Sequence, residues 1–226
     1  MSRAFAMHQP NYLPWLGYFD KMQRVDVFVL LDTVQYPRGA SVANRNVIRQ
    51  GASEVRLTVP VTVPKGREGK ASYRDVEFAD GRWQAKHLRT LDQAYRRAPF
   101  YEPLFGELRE LVEAASGFCE MNVELIRWHA RRFAIDTSIV LQSELPEGGS
   151  RNQLIADLAA ALGCDVYVSG SGAAAYNDAE WLAERGVELR YQQFEHPRYA
   201  QLGEGFRPNL AAVDALFCCG GWPAGA

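Results

Sequence analysis

Asp26–Leu31 reads DVFVLL, an acidic residue followed by an unbroken apolar run of β-formers. Such a strand has no face suited to water, so it needs neighbours on both edges and cover on both faces, the position of an interior parallel strand. Upstream, residues 3–8 (RAFAMH) are a second short apolar segment, stopped by HQPNYLPW. Pro10 and Pro14 forbid a continuing central strand there. Leu16–Arg24 then spaces Phe19 and Met22 along one side of a helix. Strand, turn, helix and strand inside about thirty residues make a βαβ unit.

The same alternation returns at the far end. Ser138–Leu141 is a short strand, Pro146–Ser150 a Gly-rich turn, and Asn152–Leu162 a helix with Leu154, Leu158 and Leu162 in register. Val166–Ser169 is a strand, Asp178–Arg185 a helix, and Val187–Phe194 alternates as a strand. Between the two ends, Arg56–Val63 reads as a strand interrupted at Pro60. Trp83–Ala98, Phe105–Ala115 and Glu120–Phe133 read as helices. The charged, glycine-containing stretch Pro64–Ser72, with Lys65, Arg67, Glu68 and Lys70, reads as a mobile surface loop. No repeat or long linker divides the 226 residues. The expectation is one α/β domain over 1–226, with a central, mostly parallel sheet flanked by helices.

Composition narrows the function. A formal charge of −2 and a pI of about 6.1 argue against nucleic acid or an anionic membrane as partner. The N-terminus has no basic-then-apolar leader and no apolar run is long enough to span a bilayer, so a cytoplasmic protein is expected. Cys119, Cys164, Cys218 and Cys219 fit neither a zinc pattern nor a redox pair. No metal is expected, and the thiols read as reduced and inert; Cys219, ahead of two glycines, is an alternative nucleophile.

Several polar residues sit where strands end. His8 closes the first strand and is either a turn cap or a general base. Asp32 follows the second strand directly, as a helix cap or a site carboxylate. Parallel strands joined by a helix end on one edge, so His8 and Asp32 are expected to share it. Gln35 and Tyr36 lie beside Asp32. Asn44, Arg45 and Asn46 are a donor cluster in which Arg45 could fork onto a carboxylate or phosphate; the alternative is a solvated loop. Trp83 and His87 share a helix face, with Lys86 adjacent. Ser169–Tyr176 (SGSGAAAY) could cradle an anion or be a plain tight turn, lacking the full dinucleotide or P-loop spacing. His196, before Pro197, ends another strand. His8, Asp32, the Asn44–Asn46 cluster and His87 or His196 are expected to converge on one cleft.

Taken together, MHQPNYLPWLGYFDKM, VFVLLDTVQY, NRNVI with LTVPV, KHLRTL, YVSGSGAAAY, HPRYAQ with FRPNL, and DALFCCGG resemble the WbqC-like protein family, in order along nearly the whole chain. That resemblance implies polysaccharide or natural-product biosynthesis and transfer of an amino-acid-derived acyl group, such as glycyl, to an amino sugar. By family pattern the site residues are His8, Asn11, Asp32, Gln35, Tyr36, Asn44, Arg45, Asn46, Lys86, His87, Tyr176, His196 and Asn209. Cys218 departs from the asparagine often found at its position in the family.

A second resemblance is to nucleotidyltransferases and pantothenate synthetases, which would make the fold Rossmann-like. Their HxGH turn would fall on Trp15–Leu16–Gly17–Tyr18, where both histidines are missing.

The expected chemistry is N-acyl or aminoacyl transfer. A thioester on coenzyme A or on the phosphopantetheine of an acyl carrier protein would be the donor. An amine or amino sugar would be the acceptor, and no cofactor would be bound. His8 or His87 would be the base with Asp32 orienting it, and Asn46, Gln35 or Arg45 would stabilise the oxyanion. The alternatives are a nucleotidyltransferase or ATP-dependent ligase, and a non-catalytic partner of a sugar-modifying complex.

Overall fold

The computed structural model describes residues 2–37, 41–64 and 70–223. In chain order the elements are β1 (Ala4–His8), α1 (Leu16–Gln23), β2 (Val27–Leu30), β3 (Arg45–Gln50), β4 (Ser53–Thr58), β5 (Val61–Thr62), β6 (Glu77–Phe78), α2 (Trp83–Tyr95), α3 (Tyr101–Glu113), α4 (Phe118–Arg132), β7 (Ser138–Leu141), α5 (Asn152–Leu162), β8 (Val166–Ser169), α6 (Ala179–Ala183), β9 (Glu188–Tyr191) and α7 (Val213–Cys219). Contacts divide the chain into two compact units. The first holds Met1–Gln9, Gly17–Thr33 and Asp136–Glu195; the second holds Pro10–Leu16, Val34–Ile135 and His196–Ala226.

The first unit is a five-stranded parallel sheet in the order β7-β2-β1-β8-β9. Every residue of β2 is buried, as its sequence requires. Counting only the strands of this sheet, the chain starts in the middle, builds two strands to one side, then crosses β1 and builds two to the other. That is the 3-2-1-4-5 order of doubly wound folds, with its switch point between β1 and β8. Helix α5 ends on Gly163, at φ 61°, a left-handed conformation that glycine adopts without strain. Helix α6 begins on Asp178, whose side chain accepts a hydrogen bond from Trp181 N at 3.0 Å. The edge strand β9 carries Glu188 and Arg190, which pair at 2.7 Å and leave charge on the open edge.

The second unit is helices α2, α3, α4 and α7 with two antiparallel pairs, β3–β4 and β5–β6. Val59–Pro60 is the break expected from sequence, and it separates β4 from β5, which pair with different partners. Helix α3 starts at Tyr101, ahead of Phe105, because Pro103 lies in its first turn, where no intrahelical N–H is needed. Strand β9 is shorter than the expected Val187–Phe194. Most of the expected Pro64–Ser72 loop, residues 65–69, lies outside the described residues.

Candidate functional site

In the first unit the pairing of β1 with β2 runs through His8↔Leu30, whereas its pairing with β8 stops at Phe5↔Tyr167. Strand β8 continues to Ser169 against β9 instead. Strands β1 and β8 therefore part over their last residues, at the switch point. His8 O accepts from Leu31 N, 2.9 Å, on the β2 side. Backbone groups alternate sides along a strand, so the preceding carbonyl, Met7 O, faces the gap toward β8. It accepts a hydrogen bond from Lys21 Nζ at 3.0 Å.

Lys21 is 6% exposed. No carboxylate among the described residues pairs with it, and its ammonium lies 5.7 Å from the centre of the Phe28 ring. Burial pulls its pKa down to about 8.

Next to it, His8 Nδ1 lies 3.2 Å from Gln9 O. A carbonyl can only accept, so Nδ1 carries the proton and Nε2 keeps its lone pair. Gln9 O also accepts from Tyr18 Oη at 3.1 Å, and the Tyr18 ring lies 4.8 Å from that of His8. Burial, and then the charge of Lys21, push the His8 pKa down to about 3, against the partial help of Gln9 O. His8 is neutral at neutral pH.

Asp32 lies at the same edge, as expected, but it does not orient His8. It accepts from Ser143 N at 3.0 Å and from Ser143 Oγ at 2.6 Å, holding the turn after β7. Gln9 O orients the ring. After β8, the buried Ser169 Oγ accepts from Asn177 Nδ2 at 3.0 Å, which closes the SGSGAAAY turn. Tyr176 in that turn is 78% exposed.

A cleft of about 520 Å³ lies in the second unit, between β4 and the start of α2. Arg56, Arg82 and Lys86 stand exposed around it; Trp83 and His87 are its buried side. His87 Nε2 donates to Thr58 O at 3.2 Å, so Nδ1 is the acceptor and receives Tyr12 Oη at 2.9 Å. Burial lowers its pKa to about 4, with Lys86 adding to the effect. With both nitrogens engaged, His87 has no lone pair to offer a substrate.

A model of the WbqC-like protein family matches residues 9–222. The chain belongs to the WbqC-like protein family. A relative, "Uncharacterized protein Rv1507c" of Mycobacterium tuberculosis (strain ATCC 25618 / H37Rv), is 29% identical over 221 residues, covering 96% of this chain and 94% of its own. Among the described residues, no helix is long and apolar enough to cross a membrane.

The remaining family-pattern residues of this WbqC-like chain lie in the second unit. Each member of the Asn44–Asn46 cluster donates to a backbone carbonyl. Asn44 Nδ2 donates to Val59 O at 2.9 Å, Arg45 Nε to Ser41 O at 2.8 Å, and Asn46 Nδ2 to Leu13 O at 2.5 Å. The last bond secures Leu13, whose φ of 42° is unusual for a branched residue. Asn11 and Tyr36 are buried, Tyr36 against Tyr73 and Phe118, and burial raises its pKa to about 12. Gln35 is exposed and bridges to Ser72. His196 Nδ1 donates to Pro197 O at 2.9 Å, its ring near Tyr199 and Phe206. Asn209 is exposed at φ 62°, a turn conformation asparagine tolerates. Cys218 is held protonated, its pKa raised to about 12 by burial and by Asp214; burial raises that of Cys219 as well.

Sequence reasoning missed Lys21. Its burial shows only in the structure, where α1 is eight residues long and is buried from Leu16 through Met22. It also missed Arg49, a charged residue in β3 that is 2% exposed. Arg49 donates to Gly51 O at 2.9 Å, Gln201 Oε1 at 3.2 Å, Gly205 O at 2.6 Å and Glu204 O. A Cβ at Gly203, φ 91°, would come 2.9 Å from both Arg49 Nη2 and Gly51 O, so this clasp requires glycine.

Proposed function

We propose that this WbqC-like protein is a group-transfer enzyme that forms an amide by moving an acyl or aminoacyl group from a thioester to an amine such as an amino sugar. The observation that carries the reading is His8. It is a neutral imidazole at the carboxyl end of β1, beside the switch point, with Nδ1 bound to Gln9 O and Nε2 left as acceptor.

In the proposed step the amine attacks the thioester carbonyl and a C–N bond forms. The nitrogen is then cationic and far more acidic than the free ammonium, which suits an acceptor of low proton affinity. Nε2 takes that proton, the C–S bond breaks, and the proton passes to the leaving thiolate. The thioester would sit on coenzyme A or on the phosphopantetheine of a carrier protein.

Amide formation from carrier and coenzyme A thioesters with amino sugars, followed by mass spectrometry, tests this. His8→Ala should lower turnover by about two to four orders of magnitude. His8→Gln, which keeps a polar group but cannot carry the proton, should lower it similarly. Full turnover by His8→Gln would remove His8 as proton acceptor. If the unaltered protein releases no thiol from any thioester, acyl transfer itself is excluded.

A second reading, nucleotidyl transfer or ATP-dependent ligation, is favoured by the 3-2-1-4-5 strand order, which nucleotide-binding folds share. Amine-dependent release of pyrophosphate from ATP would select it.

A further inference from the structure

Both readings need a donor that carries phosphate, and the parting of β1 and β8 holds a buried cation with which no carboxylate among the described residues pairs. A lone buried ammonium is costly, because it loses its hydration and one carbonyl does not replace it. Among the described residues Lys21 donates one hydrogen bond, to Met7 O, and an ammonium has two further N–H groups. Its α1 neighbour Asp20 does not serve it: that carboxylate accepts from Arg24 Nε at 2.7 Å and from Gln192 Nε2 at 2.6 Å.

The residue after Met7 is His8, whose Nε2 offers a lone pair. A cation and a neutral acceptor, attached to consecutive residues of β1, suit a group that presents a negative oxygen and an O–H together. The monoanion of a phosphate monoester does so on one phosphorus atom. Carboxylate and sulfate offer only the negative oxygen near neutral pH.

We infer that the parting of β1 and β8 is a phosphate-monoester site, with Lys21 Nζ as the counter-ion and His8 Nε2 accepting the phosphate O–H. The inference rests on the second reading of this edge, nucleotidyl transfer or ligation, for the identity of the ligand: a phosphate O–H held on His8 Nε2 takes the lone pair that acyl transfer would use for the amine's proton. The 3′-phosphate of coenzyme A and the terminal phosphate of a nucleotide share this chemistry.

Isothermal titration of the full chain at pH 6.5 with inorganic phosphate, sulfate, ADP and coenzyme A tests it. Phosphate should bind more tightly than sulfate. Lys21→Met should weaken phosphate, and whichever of ADP or coenzyme A binds better, by about 10- to 100-fold, the worth of a charge-assisted hydrogen bond. Tighter ADP names a nucleotide as the source and tighter coenzyme A a thioester carrier; either supports the site.

Equal affinity of the unaltered and Lys21→Met proteins overturns the inference. So does sulfate binding as well as phosphate, or no binding of any of the four at millimolar concentration. The phosphate-against-sulfate comparison needs no variant, so it decides the matter even if Lys21→Met does not fold. Phosphate binding that depends on Lys21 in a protein without transferase activity keeps the site and removes acyl transfer. Unchanged transfer by Lys21→Met does the reverse.

Discussion

Among the described residues each unit buries one lysine or arginine, and the two are treated differently. Arg49, in the second unit, is enclosed by four acceptors, three of them backbone carbonyls. The same neighbourhood contains Asp214, fully buried, which accepts from Tyr95 and Tyr199 at 2.8 Å and from Gln201 at 3.0 Å. Lys21, in the first unit, has one carbonyl. Two of the four histidines differ in the same way: His87 has both ring nitrogens engaged and His8 has one. A polar group whose bonds are complete holds the fold together. One whose bonds are incomplete is where the proposals above put a ligand.

The largest test of this contrast is Arg49→Leu. It removes the part-buried side chain on which Gly51 O, Glu204 O, Gly205 O and Gln201 Oε1 converge, and should cost about 1.5–3 kcal/mol in urea unfolding. A loss below about 1 kcal/mol would mean that Arg49 is no more structural than Lys21.

A smaller effect comes from His87. Its folded pKa, about 4, lies below the unfolded 6.5, so the native state binds fewer protons between those values. The stability it contributes is therefore complete above pH 6.5 and lost as pH falls toward 4. His87→Gln should flatten the fall in stability between pH 6.5 and 5 by about 1.4 kcal/mol per pH unit. An unchanged slope would show that His87 is accessible to protons in the folded chain.

The smallest effect is Lys21→Met. Exchanging an unpaired buried ammonium for an apolar chain of similar length beside Phe28 should change stability by less than about 1 kcal/mol, or raise it. A large loss in urea unfolding would place Lys21 with Arg49, as a structural cation.

Much of the first unit was legible in the sequence because its signals are local. DVFVLL, VYVS and SIVL are short apolar runs between turn residues, and Asn152–Leu162 has helical spacing and a glycine stop. The second unit hid more. Strand β3, RNVIRQ, has no apolar alternation, because Arg49 points inward and is satisfied by residues far along the chain. Helix α7 has only seven residues and offers too little periodicity to read.

At the site, the shared edge of His8 and Asp32 followed from strand direction, whereas the partners of each did not. Nothing in the sequence distinguishes a carboxylate aimed at a histidine from one aimed at Ser143. The expected single cleft also drew on residues of both units. His8 and Asp32 lie in the first, and Asn44–Asn46, His87 and His196 in the second.

The neighbour of β2 in the sheet, β7, lies far downstream, beyond most of the second unit. About a hundred residues must be synthesised between them, which takes about 5–20 s at ribosomal rates. During that interval β1, α1 and β2 are already made, but the outer edge of β2 has no partner. That edge is apolar and flat in sequence, the kind that recruits strands from other chains. Synthesis of this chain thus contains a built-in delay, in which its most apolar strand waits for Ser138–Leu141 to emerge and cover its edge.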